Sequence, residues 1–223
     1  MASKGVRIAP QAAQPPQLRR RPVQSRARAS SQALQDAFVR VWLELGYEKT
    51  TVREVVAVAG VGVGTFYEYF GNMRALAALC VHQQIKRLAQ QARAAARASA
   101  GAPLAEVVQA QIHAQLDAVL REPALWAALF ALERQVTTPE AFRRPYEAWV
   151  QLWRGALEAA SDPPEEAAAA ARMLHSMTYG SVSQALLAGG AQALDAAALR
   201  AELLRAALAY AAQLPRHWNQ NRL

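Results

Sequence analysis

The sequence predicts an all-α protein of roughly nine helices. Three observations carry that expectation. Apolar residues recur at the i, i+3, i+4, i+7 spacing of a helix face through most of the chain. Ser, Thr, Asn, Asp, Gly and Pro fall at the ends of those segments, where helices need caps and stops. No segment keeps a strand-like alternation of apolar and polar residues over a useful length. The abundant residues Ala, Leu, Gln and Arg are also good helix formers.

The first 28 residues stand apart. They contain Lys4, Arg7, Arg19, Arg20, Arg21, Arg26 and Arg28 and no acid, so seven positive charges of a formal net +8 lie there. Four prolines and several glutamines accompany them, and such a segment buries no core. It is expected to be a disordered arm over 1–28. Two readings stay open, a solvated, solubilising end or an arm that lies on phosphates or enters a minor groove. An Arg-rich transit peptide is a weaker third, because the arm has no amphipathic apolar face.

From Ser31 the helical spacing begins. Leu34, Ala37, Phe38, Val41 and Leu45 share a face, Ser30 or Ser31 caps the start, and Gly46 stops the helix. Thr51 and Glu54 have the spacing of a capping box, in which each side chain satisfies a free amide at a helix start. Asn72 caps the next long helix, through Leu76, Leu79, Ile85 and Leu88. Gly101 and Pro103 punctuate before Leu104–Val119. Pro123 and Thr138-Pro139 open two more helices, and Asp162-Pro163-Pro164 is expected to start a long one ended by Gly189-Gly190. Asp195 caps the last helix, which Pro215 stops.

Several chemistries find no support. The one cysteine, Cys80, allows no internal disulfide and fits a reducing compartment. No apolar run reaches the roughly 20 residues of a membrane helix, and no signal-peptide core follows Met1, so a cytoplasmic protein with no membrane partner is expected. The four histidines are scattered with no zinc-ligand spacing. No catalytic residue, metal or cofactor is expected, and the chain does not read as an enzyme.

The stretch VVAVAGVGVGTFYEYF, residues 55–70, decides the function. Gly60, Gly62 and Gly64 could belong to a phosphate-cradling loop after a strand. A dinucleotide fingerprint needs a sixth-position glycine where Thr65 stands, and an acid about 20 residues on, where none occurs. No G-K-[ST] tripeptide exists for a P-loop. The alternative is a helix from Thr51, a stop at Gly60 with the positive φ that glycine adopts without strain, a turn Gly60-Val61-Gly62, and a second helix from Val63 to Tyr69. That is the helix-turn-helix pattern.

The segment from Gly46 to Leu76 resembles the DNA-binding domain of the tetracycline-repressor (TetR) family of transcriptional regulators. The likeness rests on G-Y after helix 1, T-T opening helix 2, A-G-V at the turn, G-T-x-Y and Y-F in helix 3, and A-L in helix 4. It covers about 31–80 and, beyond the arm 1–28 that composition sets apart, implies a DNA-binding domain 29–76 and a ligand-binding and dimerising domain 77–223. It implies a homodimer, joined through the last two helices, on a pseudo-palindromic operator, with an unknown small-molecule effector and repressor action. By the same resemblance Thr51 touches a phosphate, and Thr65, Tyr67 and Tyr69 lie at the DNA face. Gly64 permits close backbone approach, while Phe66 and Phe70 are core. Removing 195–223 is expected to give a monomer.

Departures from the family pattern add detail. Gly62 stands where a capping serine is usual. Val63 replaces a polar residue, and either contacts a thymine methyl or packs locally. Met73 stands where a phosphate-binding lysine is common, which makes Arg74 the substitute. Over 29–86 five bases balance five acids, so the arm, including Arg26 and Arg28, is the expected source of phosphate affinity. Truncation of 1–26 should therefore flatten the salt dependence of DNA binding. Aromatic rings on the central helices suggest a ligand pocket. The candidates are His113, Trp126, Phe130, Tyr146, Trp149, His175 and Tyr179. The competing function is an all-α interaction module whose tail binds an acidic partner or membrane surface.

Overall fold

The computed structural model describes residues 21–216, with side chains from residue 27 onward. Within them lie nine α-helices and no named strand. They are α1 (Arg21–Leu45), α2 (Val52–Ala59), α3 (Val63–Tyr69), α4 (Met73–Ala98), α5 (Leu104–Leu120), α6 (Pro123–Val136), α7 (Pro139–Glu158), α8 (Ala167–Gly189) and α9 (Ala196–Ala212).

The first helix begins earlier than expected. Residues 21–28, assigned to the arm, are the opening turns of α1. Pro22 suits a first helical turn, where its missing N–H would have no partner anyway. The expectations for residues 1–20, including the disorder of the arm, lie outside the described residues. On α1 the buried stripe is Leu34, Ala37, Phe38, Val41 and Trp42, while Leu45 is exposed. Trp42 takes the place the spacing gave to Leu45 and stacks on Phe38, with ring centroids 5.7 Å apart.

The cluster of α1, α2 and α3 closes around Phe38, Val55, Val56, Phe66 and Phe70, all buried. The amino-terminal part of α4 seals it with Leu76 and Ala77, and the same helix continues against α5, α6 and α7. A boundary between 76 and 77 therefore falls inside one unbroken helix.

The larger domain packs α8 against α7, α6 and α9, and α5 against α4 and α9. Its core includes Leu104, Ile112, Leu116, Leu132, Trp153, Leu157, Leu174 and Leu186. Asp162 does not cap the helix that follows it. Its Oδ1 accepts from the Leu104 amide at 2.6 Å, so it caps α5, and Oδ2 pairs with Arg216 at 3.3 Å. The following helix starts only at Ala167, without a side-chain cap. Pro164 pushes Pro163 out of the helical region, so a helix does not run on from Asp162, and a tertiary partner claims the carboxylate instead.

Candidate DNA-reading face and ligand cavity

The turn between α2 and α3 follows from three residues. Thr51 Oγ1 accepts from the Glu54 amide at 3.3 Å, and the Glu54 carboxylate accepts from the Thr51 amide at 2.8 Å, which completes the capping box. Gly60 ends α2 in the left-handed region at φ 68° and ψ 30°. Val61 folds back, its amide donating to the Val56 carbonyl at 3.1 Å, and its side chain packs against the core. Gly62 opens α3 at φ −76° with no side-chain cap.

Phe66, fully buried, fixes which side of α3 faces inward. The rest of this seven-residue helix then points outward. Val63 is 48% exposed, Tyr67 58% and Tyr69 36%. Gly64 and Glu68 are exposed and Thr65 is half-buried. At 100° per residue Glu68 stands opposite the buried Phe66 side, between Gly64 and Thr65. Sequence reasoning passed over Glu68; the signal was available, because a charged residue at that spacing faces away from the core. Thr51, at the start of α2, is exposed, but its hydroxyl also donates to Glu54 at 2.8 Å.

Arg74 is not on this face. Its Nε and Nη2 donate to the Val136 carbonyl, at 3.2 and 2.9 Å. That carbonyl belongs to the last residue of α6, where carbonyls lack helical partners and a cation is favoured. Arg74, expected to stand in for a phosphate-binding lysine at Met73, is thus engaged by the end of α6 in this structure. Arg28 is exposed on α1, and Arg26 lies on the same helix.

The second site is a cavity between α4, α5, α6, α7 and α8. It encloses about 70 Å³ and adjoins a more open groove of about 820 Å³ between α4 and α7. Trp126, Phe130, Tyr146, Trp149, His175 and Tyr179 all line it. Their rings form a continuous set. Trp149 stacks on His175 at 5.9 Å with planes 3° apart, and Tyr146 and Tyr179 lie 5.5 and 6.0 Å from the same imidazole. Phe130 meets Tyr179 edge-on at 5.6 Å.

His113 does not line the cavity. It sits two residues from Gln115, which does, and two residues on a helix is about 200° of rotation. Gln115, Glu133 and Thr178 are the polar lining residues that aromatic patterning missed. Glu133 is buried, and its carboxylate accepts from the Tyr179 hydroxyl at 2.9 Å. Burial pushes the Glu133 carboxyl above its ordinary range, against the Tyr179 hydrogen bond and the charge of Arg134, which pull it down. Burial also lowers His175 to about 4, so its ring is neutral near pH 7. Its Nδ1 is buried without a hydrogen-bond partner. Among the described residues no three His, Cys, Asp or Glu side chains converge on a metal site, and no helix is long and apolar enough to cross a membrane.

Comparison with known proteins agrees with this architecture. Residues 34–80 match the family model for bacterial regulatory proteins of the tetR family, and 103–210 match that for the tetracyclin repressor-like C-terminal domain. No curated protein matches the chain. Among solved structures, SmeT, the repressor of the multidrug efflux pump SmeDEF of Stenotrophomonas maltophilia, is similar at TM-score 0.65 and 19% identity, over 82% of this chain and 91% of that one. The regulator FadR from Bacillus subtilis, solved with stearoyl-CoA, is similar at TM-score 0.64 and 18% identity, over 79% and 97%. A TetR family regulator from Marinobacter aquaeolei VT8 is similar at TM-score 0.61 and 18% identity, over 83% and 97%. At such identities these structures speak for the fold. The family matches cover both the DNA-reading head and the body that holds the cavity, and on them the chain belongs to the TetR family of bacterial transcriptional regulators.

Proposed function

We propose that this DNA-binding transcriptional regulator is a ligand-responsive repressor that works in the cytoplasm as a homodimer. Each α3 would enter the major groove of one half of a pseudo-palindromic operator. The observation that carries the reading is the outward face of α3, where Val63, Tyr67, Glu68 and Tyr69 are exposed on a short helix anchored by Phe66. Large apolar and aromatic side chains left in solvent on so small an element point to a binding surface. That surface is also the reason to set aside the interaction module with a basic tail, which gives α3 no task.

The chemistry of the face suggests how sequence is read. Val63 suits a thymine methyl, and the Glu68 carboxylate can accept from a cytosine amino group. The tyrosine hydroxyls of Tyr67 and Tyr69, the Thr51 and Thr65 hydroxyls and the bare backbone at Gly62 and Gly64 suit phosphates and close approach. Arg26 and Arg28, now on α1, would add cationic contacts, while Arg74 is committed to α6. Support for dimerisation comes from α8, whose outer side carries Met173, 48% exposed, together with Ser176, Gly180 and Gln184 at helical spacing. Small residues there allow two helices to approach closely. The cavity between α4 and α8 would hold the effector; SmeT represses a multidrug efflux pump and the Bacillus subtilis FadR was solved with stearoyl-CoA, and neither assigns this chain its ligand.

Fluorescence anisotropy on DNA from upstream of the chain's own gene tests the proposal. The protein should bind one site there tightly in a two-to-one protomer ratio. Tyr67→Ala should weaken it by about tenfold or more, the size of one or two lost contacts. Equal affinity for unrelated DNA at physiological salt would refute it.

A further inference from the structure

The inner cavity is lined by one carboxylate, Glu133, and by no Lys or Arg. Glu133 is 9% exposed and receives one hydrogen bond, from Tyr179, on Oε2. Among the described residues no basic side chain forms an ion pair with it; Arg134, next to it in the chain, pulls the carboxyl down through its charge but donates to the Phe130 carbonyl at 2.9 Å. A carboxylate is expensive to hold in an apolar wall without a cation beside it. The rings around it add to the same preference, because aromatic faces attract cations, and the attraction grows when water is excluded. His175 strengthens the case in a second way. Its neutral imidazole offers no competing positive charge, and its sealed Nδ1 lacks a partner that a polar ligand group could supply.

Cations do stand nearby. Lys86, Arg93 and Arg144 line the outer groove. All three are exposed to solvent, where their charge is screened, whereas Glu133 is not. The groove is shared at Glu133, Phe142 and Trp149, so a ligand entering from it passes the carboxylate on its way to the rings.

We propose that the cavity takes a protonated amine carried on an aromatic body, with the ammonium group against Glu133 and the rings beside Trp149 and Phe130. The proposal rests on the reading of this cavity as the effector site. It differs from an anionic lipid-like ligand, which would place its charge at the outer cations and drive its tail past a buried carboxylate.

Three probes with one ring system separate these chemistries. They are 2-naphthylmethylammonium, 2-naphthylmethanol and 2-naphthoate, titrated calorimetrically into the full-length protein at neutral pH. The ammonium should bind about tenfold tighter than the alcohol, and the carboxylate should bind weakest, since charge-assisted hydrogen bonds are the strong ones. Glu133→Gln keeps the shape and an acceptor for Tyr179. It should bring the ammonium down to the alcohol while leaving the alcohol within about twofold. Tightest binding by naphthoate, an unchanged ammonium preference in the variant, or no ammonium binding at millimolar concentration overturns the ligand class. The wild-type comparison stands even if the variant fails to fold. Operator release is read separately by anisotropy. Ammonium binding without release overturns the effector reading alone, and release by the alcohol or naphthoate but not the ammonium overturns the ligand class alone.

Discussion

Gly60 and Gly62 stand two residues apart in one turn and differ in what they demand. Gly60 sits at φ 68°, a conformation that strains any residue with a Cβ, although no atom would touch that Cβ. Gly60→Ala should therefore destabilise the protein by about 1 kcal/mol. Gly62 has φ −76° and open space around it, so a side chain fits, and serine there could cap α3. Gly62→Ser should be neutral or stabilising by a few tenths of a kcal/mol. Urea denaturation of both variants checks the pair; equal effects would refute the distinction. His175 supplies a pH prediction. The unfolded chain takes up its proton near 6.5, the folded chain only near 4. Between those values the unfolded state holds more protons, so stability is full above pH 6.5 and falls as pH drops toward 4, by on the order of 3 kcal/mol. Glu133, whose carboxyl is raised by burial, opposes this slope at the acid end. His175→Phe should lose less stability than the native chain between pH 7 and pH 5 in parallel denaturation curves.

At the scale of elements, two tertiary caps tie distant segments together. Arg74 on α4 serves the end of α6, and Asp162, ahead of α8, serves the start of α5. Arg74→Met should destabilise the protein by about 1–2 kcal/mol, because a carbonyl at a helix end loses a charged donor. It should leave the salt dependence of operator binding unchanged. A slope reduced by about one unit would instead place Arg74 on a phosphate. The helices themselves were legible because their caps are local. Thr51, Asn72, Thr138 and Asp195 each bond an amide three residues on, a distance the sequence displays. Asp162 was misread because its partner, Leu104, is 58 residues away. Pro145, inside α7, removes an amide donor in the half of that helix whose Phe142, Arg143 and Arg144 are exposed. The well-buried half, with Trp149, Trp153 and Leu157, lies beyond it.

For the whole molecule, the proposed dimer is the property most open to test. Removing α9 is a blunt probe, since Leu203, Ala207 and Ala211 are buried within the protomer and α9 packs on α5 and α8. Gly180 is a finer one. Nothing outside its own helix lies within 4 Å of a Cβ placed there. Gly180→Arg should fold normally, with an unchanged circular dichroism spectrum, yet sediment as a monomer and lose operator affinity. A variant that stays dimeric would refute α8 as the interface. The sequence by itself determined the all-α class, the capping box, the glycine turn and the extent of α3, because each depends on residues within four positions of one another and on the rotation between them. It also named most of the rings that line the cavity, because aromatic residues on central helices have few other places to go. Tertiary structure alone decided that Arg74 faces α6, that Asp162 caps α5, that His113 turns away and that Glu133 closes the ring of aromatics. Those outcomes depend on which face of one helix meets which end of another, and composition and spacing along a single chain do not encode that pairing.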